Sequence, residues 1–250
     1  MKVLITGASS GIGRDMARVF SKMGAELFLV ARRLDRLEAL KEELGTPCRI
    51  FDIDLSKEET CRVLYETLKN EEIDVLINNA GFGAFGEFSE LPLERELEMV
   101  DVNVRALHIL TKLFLADFRK RNKGYILNVS SVASFLQGPL LATYYATKAY
   151  VTRLTLAIYE ELRREGSKVY IGALCPGPVD TEFNDCANAS FALKGLSSSK
   201  VAEYAIGKMF KGKTIIIPGI LVRMGVFFQR FIPTKLLLNV MYFVQFAKKK

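Results

Sequence analysis

Short apolar runs alternate with amphipathic segments along most of this chain. Seven of these runs are rich in β-branched residues and end at glycine or polar residues, which is typical of buried parallel strands. We predict strands at 2–6, 26–32, 48–54, 74–79, 125–129, 168–174 and 214–217. Between them, apolar residues recur every three or four positions, which predicts helices at 34–44, 57–70 and 92–122, one opening at residue 12, and one through residues 144–148 that ends near residue 164.

This alternation of strands and helices predicts the fold class. Strands that alternate with helices of about 10–15 residues are joined by right-handed crossovers into a parallel sheet. We therefore predict an α/β fold, a doubly wound, Rossmann-like, seven-stranded parallel sheet with helices on both faces. Residues 1–218 form a single domain in this prediction, because no linker or internal repeat interrupts the pattern.

Residues 219–250 have a different pattern and predict a helical extension. Two apolar helical pieces, 220–231 and 234–247, are separated by Pro233. Eight of the 35 Lys and Arg residues lie in 211–250 without any acid, which leaves 27 basic against 28 acidic residues before that point. The net charge of +7 therefore belongs to this end of the chain. The nearly neutral remainder offers no basic face for nucleic acid, so we predict no nucleic-acid partner.

Two roles for this extension are open from the sequence. Its longest uncharged run, 236–247, has 12 residues, fewer than the roughly 20 that span a bilayer. A basic, apolar, acid-free segment is typical of a helix that lies on an anionic membrane surface. The alternative is that the extension covers the substrate cleft or a subunit interface.

Cysteine and histidine usage gives no support for a metal site. The four cysteines form no Cys-x-x-Cys pair and the chain has one histidine, so we predict no metal ion. No signal peptide is visible before the first strand. Reduced thiols then favour a cytoplasmic protein, with peripheral membrane contact left open.

The first strand is followed by a glycine-rich loop, Gly7-Ala8-Ser9-Ser10-Gly11-Ile12-Gly13. A glycine loop between a strand and a helix lets the backbone approach a pyrophosphate, and the helix N-terminus attracts its charge. We therefore predict that domain 1–218 binds a dinucleotide, although such a loop is also found as a purely structural turn. Ligands in these sheets lie beyond the carboxyl ends of the strands, where 31–33, 54–55, 78–81, 130–131 and 176–178 also fall.

A second candidate unit is Tyr144 with Lys148. Residues four apart share one helix face, and a nearby ammonium favours the phenolate and lowers the pKa of the phenol toward the working range. The pair can thus serve as an acid and base, or it can be a packed ring beside a solvated lysine.

These motifs together resemble the short-chain dehydrogenase/reductase family. The resemblance rests on 6–13, Asn78-Asn79-Ala80-Gly81, Asn103, Ser131, Tyr144-x-x-x-Lys148 and Pro176-Gly177-Pro178-Val179-x-Thr181, in the family's order and spacing from residue 1 to about 217. The extension at 219–250 departs from the family's minimal pattern and is similar to the branch with 3-oxoacyl, 17β-hydroxysteroid and 3-ketosphinganine reductases.

The resemblance implies hydride transfer between a nicotinamide and a carbonyl or alcohol, with four catalytic residues. Tyr144 is implied as the proton donor, with Lys148 lowering its pKa and holding the nicotinamide ribose. Ser131 is implied to bind the substrate oxygen, and Asn103 to hold a water that relays protons. The cofactor-binding residues implied or predicted are Gly7, Ser9, Ser10, Gly11, Ile12, Gly13, Arg32, Arg33, Asp54, Leu55, Asn79, Ala80, Gly81, Tyr144, Lys148, Pro176, Gly177, Val179 and Thr181.

Charge after the second strand indicates which nicotinamide cofactor is used. NAD binders usually place an acid there for the ribose 2′-hydroxyl, whereas arginine suits a 2′-phosphate. Here Arg32 and Arg33 occupy this position, with no acid before Asp35. We therefore predict NADP(H).

The substrate class is predicted from the distribution of phenylalanines, and the oligomeric state from the family resemblance. Phenylalanines concentrate at 82–88, 135–136 and 183–191, which favours a large apolar, lipid-like substrate if they line a cleft rather than pack loops on the sheet. Residues 180–196 are predicted to form a lid. The resemblance also implies a homodimer or homotetramer. The alternative function is a dinucleotide-binding sensor or scaffold without turnover.

Overall fold

The computed structural model describes residues 1–182 and 195–246. Seven of its strands form one parallel sheet in the order β3-β2-β1-β4-β5-β6-β9, with the six register alignments all parallel. These strands are β1 (Lys2–Thr6), β2 (Glu26–Ala31), β3 (Cys48–Asp52), β4 (Val75–Asn78), β5 (Tyr125–Val129), β6 (Tyr170–Leu174) and β9 (Ile215–Ile216). The predicted Rossmann-like sheet is confirmed.

Helices cover both faces of the sheet and create two cores. One core joins the sheet to α1 (Gly11–Lys22), α2 (Leu34–Glu43) and α7 (Ser198–Met209). The other joins it to α3 (Glu58–Leu68), α5 (Leu107–Arg121) and α6 (Ala142–Arg164). Strand residues alternate between the two, with Val3 and Ile5 in the first core and Leu4 in the second. The period of two along a strand explains this division.

The helix predicted at 92–122 is present, but the prediction of one uninterrupted α-helix is wrong. The segment consists of α4 (Leu93–Val100), a π-helical turn (Asp101–Ala106) and α5. A π-turn inserts an extra residue into a helix and often marks a functional position. Here it contains Asn103, one of the residues implied as catalytic.

Residues 219–246 form two further helices, as predicted. They are α8 (Ile220–Phe228) and α9 (Thr234–Phe246), with a 3₁₀ turn (Gln229–Phe231) between them. No helix in the described ranges is long and apolar enough to cross a bilayer. The domain boundary at 218/219 stays a prediction.

The predicted lid at 180–196 lies mostly outside the described residues. Its flanks, β7 (Val179–Asp180) and β8 (Leu196–Ser197), pair in parallel as a small second sheet that the sequence did not predict. The two ends of the segment are therefore held side by side next to α7, which follows β8 directly.

Candidate active site

A cleft of about 440 Å³ runs along the carboxyl edge of the sheet. Of the residues predicted for the site, all but Gly13 and Asn103 line it. The loops after β1, β2, β3, β4, β5 and β6 all contribute, because parallel strands present their carboxyl ends on the same side. The structure thus brings together residues that are up to 175 positions apart in sequence, from Gly7 to Glu182.

The glycine loop is shaped by contacts with the loop after β4. Gly7 has a φ of +65°, and a Cβ there would lie 2.8 Å from the backbone Cα of Ala80. The Asn79 amide donates to the carbonyl oxygens of Thr6 (3.0 Å) and Gly7 (3.1 Å). Asn79 therefore braces the glycine loop in addition to lining the cleft, a role that the sequence analysis missed. Gly13 lies beneath this brace, since a side chain there would collide with the Asn79 amide.

An anion already occupies the start of α1. The Glu182 carboxylate lies 3.2 Å from Arg14 and 3.6 Å from Arg36, and it accepts a hydrogen bond from the Gly11 amide. Burial by itself raises the pKa of Glu182, but the bonds from its own amide and that of Gly11, with the two arginine charges, lower it below its ordinary value. The helix N-terminus and its basic neighbours therefore favour negative charge, as a pyrophosphate site requires.

The two arginines after β2 have different surroundings. Arg33 donates to the hydroxyls of Ser9 (3.1 Å) and Ser10 (2.8 Å) in the glycine loop. Arg32 instead forms an ion pair with Glu98 at 2.7 Å. A guanidinium and two hydroxyls at one point are the donor set that a phosphate monoester needs, so the residues present fit a 2′-phosphate. Of the two arginines, Arg33 is the one that bonds to the hydroxyls of the glycine loop.

Tyr144, Ser131 and Lys148 meet at the other end of the cleft. Tyr144 and Lys148 lie on α6, and Ser131 follows β5. The Tyr144 phenol is hydrogen-bonded to the Ser131 side chain, and the Lys148 Nζ atom lies 5.8 Å from the centre of the tyrosine ring. Ser131 also accepts a bond from the Ala133 amide (3.1 Å), which fixes its hydroxyl. The two α6 side chains share one face, as the spacing predicted.

The neighbours Tyr145 and Ser130 face other partners. Ser130 is buried and donates to the backbone carbonyl oxygen of Lys148 on α6 at 2.9 Å. Tyr145 accepts from Gln245 of α9 at 2.5 Å. The sequence spacing selected Tyr144 over Tyr145 and Ser131 over Ser130, and the two selected residues are the ones that bond to each other.

The expected lowering of the phenol pKa is not what the structure shows. Burial raises the pKa of Tyr144 to about 12, and the hydrogen bond with Ser131 only partly opposes this. In this state Tyr144 holds its proton at neutral pH and is a proton donor rather than a base.

Lys148 is shifted in the direction expected for a buried cation. Burial lowers the pKa of Lys148 to about 8, and only 5% of the residue is exposed. Its Nζ atom donates to the Val129 carbonyl oxygen at 3.0 Å. A Cβ at Gly81 would lie 3.3 Å from Nζ and 2.8 Å from Asn103 Oδ1. Only glycine at 81 therefore leaves space between the lysine and the asparagine.

Asn103 lies beneath the cleft rather than in its wall, and it is almost fully buried. Its side chain accepts from the Phe82 amide (3.0 Å) and donates to the Phe82 carbonyl oxygen (2.9 Å). It also donates to Thr147 Oγ1 at 3.1 Å. The asparagine thus ties the loop after β4 to α6, through a threonine next to Lys148.

One face of α9 packs next to the Tyr145 end of the cleft. Leu237 and Met241 pack against Tyr145, Ala133 and Leu141, and Gln245 is fully buried. These α9 residues are four apart and therefore lie on one face. That face packs against Ala133, Leu141 and Tyr145, which line the cleft, whereas no described residue of α9 lines it. The covering role left open for residues 219–250 therefore stays a prediction. The spacing of these α9 residues was the signal in the sequence, but it did not say what the face would contact.

The phenylalanine segments contribute less than expected. Phe82 lines the cleft, and Phe85 packs with Leu136 against the α9 cluster. Phe88 is 68% exposed and faces solvent. The third segment, 183–191, lies outside the described residues.

Within 1–182 and 195–246, the structure brings together no group of three or more side chains that could hold a metal ion.

The sequence of this chain is similar to those of short-chain dehydrogenases. A sequence model described as short chain dehydrogenase matches residues 1–190. An uncharacterized oxidoreductase of Staphylococcus saprophyticus is 38% identical over 186 residues, which is 73% of this chain and 76% of that protein. The very-long-chain 3-oxoacyl-CoA reductase of Rattus norvegicus is 32% identical over 188 residues, 72% of this chain and 60% of that protein.

A solved structure shows the same likeness. The short-chain dehydrogenase from Sphingobium yanoikuyae in complex with NADPH has a TM-score of 0.82 with this chain at 31% identity, and 88% of each chain is covered. The matched residues 1–190 include every described residue that lines the cleft.

Proposed function

Because this chain belongs to the short chain dehydrogenase family, we propose that it reduces the carbonyl of an apolar, lipid-like substrate with NADPH, or oxidises the corresponding alcohol. It is an oxidoreductase with a nicotinamide dinucleotide site. The observation that carries the finer proposal is the hydrogen-bonded pair of Tyr144 and Ser131 at the apolar end of the cleft. The bound cofactor supplies the hydride.

Tyr144 and Ser131 act on the substrate oxygen in this proposal. A carbonyl oxygen becomes negative as hydride reaches its carbon, and two fixed hydroxyl donors stabilise that charge. Tyr144 then gives its proton to the oxygen. An alkoxide is a stronger base than a phenolate, so the transfer is favourable even with a phenol pKa of about 12.

Lys148 and Asn103 support the proton donor. The ammonium of Lys148 lies beside the Tyr144 ring and stabilises the phenolate that remains after proton transfer. Asn103 holds the loop after β4 against Thr147 of α6, and this fixes the floor beneath Lys148. A water held near Asn103 would return a proton to the lysine.

NADP(H) is favoured over NAD(H) by the residues around the adenosine end. Arg33, Ser9 and Ser10 would hold the 2′-phosphate, and the Gly11 amide at the start of α1 would hold the pyrophosphate in place of Glu182. Asp54 and Leu55 line the adenine end. Val179 and Thr181 would meet the carboxamide.

The apolar residues beside Tyr144 indicate the substrate class. Ala133 and Leu141 line the Tyr144–Tyr145 side of the cleft with apolar surface, and Leu237 and Met241 of α9 pack against them. Such a wall favours a long or bulky apolar group beside the carbonyl. The Rattus norvegicus relative is named for very-long-chain 3-oxoacyl-CoA, which is one member of this class.

A ketone panel with NADPH tests this proposal. We expect turnover with a long-chain 3-oxoacyl thioester, a keto-steroid or a sphingoid ketone, and much less with the small polar ketone dihydroxyacetone, followed at the nicotinamide absorbance band. Efficient turnover of dihydroxyacetone alone would exclude the apolar class. Dinucleotide binding without turnover of any ketone would favour the sensor instead.

The titration of Lys148 predicts a pH dependence for reduction. Its pKa is lowered to about 8, so the ammonium is present below pH 8 and is lost as the pH rises through this value. We expect kcat/KM, which reports the free enzyme, to fall about tenfold per pH unit above 8. Tyr144, with a pKa of about 12, does not titrate in this range.

Circular dichroism measured across the same pH range is the control for this profile. It separates loss of the ammonium from loss of structure. A profile that is flat up to pH 10 would show that Lys148 is not the titrating group.

A further inference from the structure

We propose that α8, the 3₁₀ turn and α9 form a docking surface for an anionic lipid bilayer. We call the exposed apolar side chains of residues 220–246 the apolar face. More than half of the exposed large apolar side chains in the described chain belong to it, in about a tenth of the sequence. Single exposed apolar residues are ordinary, but a concentration of this kind marks an interaction surface.

The apolar face has large side chains in open positions. Leu221 is 79% exposed, Phe243 72% and Phe231 69%. Aromatic rings contact each other within each helix region, as Phe227 does with Phe231 at 5.8 Å and Tyr242 with Phe246 at 5.9 Å. These rings form rigid apolar ridges that can enter the headgroup region of a bilayer.

Both helices lie at the same end of the molecule. Val222 of α8 lies next to Gly177, and α8 contacts the 3₁₀ turn Val132–Phe135. Met241 of α9 packs in one cluster with Ala133 of that same turn. The inner faces of α8 and α9 therefore both rest on one turn at the rim of the cleft.

The charges around the apolar face identify the partner. Arg223, Arg230 and Lys235 are exposed, and none of them forms an ion pair with a carboxylate in the described part of the chain. Arg230 lies over the Phe227 ring at 4.8 Å, so its charge is at the edge of the apolar face. The sequence has no acid anywhere in 211–250. Basic groups around an apolar centre match an anionic headgroup layer over acyl chains.

A second copy of this chain is a poorer partner for the same surface. Two apolar faces in contact would bring like charges together at their edges, with no acid in 211–250 to neutralise them. A bilayer neutralises those charges and also accepts the apolar side chains. Because the inner face of α9 packs on Ala133, Leu141 and Tyr145 of the cleft wall, docking would place that wall near the lipid surface.

Vesicle flotation of the full chain, without dinucleotide or substrate, tests this proposal independently of the proposed enzyme activity. We expect binding to vesicles of phosphatidylcholine with phosphatidylserine, and much weaker binding to phosphatidylcholine alone. Phe231→Glu with Phe243→Glu should abolish it. The matched control is Val63→Glu on α3, an apolar residue that is 60% exposed and should leave binding unchanged.

Neutral variants test the basic edge separately. Each basic residue near an anionic surface contributes about fivefold in affinity, so Arg223→Gln, Arg230→Gln and Lys235→Gln together should weaken binding to anionic vesicles about 100-fold. Removing the same charge elsewhere, with Lys22→Gln, Lys41→Gln and Lys112→Gln, should change it much less. Circular dichroism establishes that each variant is folded, and Phe243→Glu alone serves if the double variant is not.

Two results would overturn the proposal. The first is full-length protein that fails to float with anionic vesicles. The second is a dimer in light scattering that Phe243→Glu converts to a monomer while vesicle binding stays absent, which would assign the apolar face to a second copy.

Discussion

Tyr144→Phe is expected to lower kcat about 100- to 10,000-fold, the range over which a positioned general acid acts. The substitution removes the hydroxyl that is bonded to Ser131 and leaves the ring beside Lys148. The dinucleotide site lies mostly along the glycine loop and the loops after β2 and β3, so cofactor affinity should remain within a few fold. Steady-state kinetics with NADPH and titration of bound dinucleotide measure the two quantities.

Tyr150→Phe is the matched control on the same helix. Tyr150 is exposed and its hydroxyl bonds to His108 at 2.6 Å, away from Ser131. It should retain nearly full turnover. Turnover of Tyr144→Phe close to that of Tyr150→Phe would show that the phenol is not the acid.

Arg33→Ala is expected to lower kcat/KM for NADPH about 10- to 100-fold and to leave that for NADH nearly unchanged. Arg33 and the hydroxyls of Ser9 and Ser10 form one donor cluster, and a hydrogen bond to a charged group contributes about 1.5–3 kcal/mol. At about 1.4 kcal/mol per factor of ten, this range gives the stated loss. The ratio of the two kcat/KM values is the measurement, because it cancels a general loss of activity.

Arg32→Ala is the control for this experiment. Arg32 is the adjacent arginine, but its guanidinium is ion-paired with Glu98 at 2.7 Å. Its removal should change the cofactor ratio much less than removal of Arg33. A larger change for Arg32→Ala would assign the 2′-phosphate to Arg32. An unchanged ratio in both variants would contradict the NADP(H) proposal.

The fold was predictable because its signals are local. A buried parallel strand such as β1 has an unbroken apolar centre, Val3-Leu4-Ile5, and helices such as α2 repeat apolar residues at helical spacing. The π-helical turn was not predictable, because the periodicity of 92–122 stays close to helical across the one inserted residue. The pair β7–β8 was missed since each strand has two residues, too few for a pattern.

The sequence predicted which residues form the candidate site, but it predicted few of the contacts between them. The strand ends predicted from the sequence place Gly7, Asp54 and Ser131 at one edge of the sheet, and all three line the cleft. The brace from Asn79 to the glycine loop and the bond from Gln245 to Tyr145 were not predicted. They join segments 72 and 100 positions apart, and no local pattern marks either partner.

The sequence by itself determined the order of strands and helices, the chemical groups at the carboxyl edge of the sheet and the shared face of Tyr144 and Lys148. The tertiary structure alone decided the protonation of that pair. Burial raises the pKa of Tyr144 and lowers the pKa of Lys148, and desolvation depends on every segment packed around a group. It also decided which side of α9 packs on the wall of the cleft and which is exposed. Helical spacing defines a face, but only packing in three dimensions chooses its neighbour.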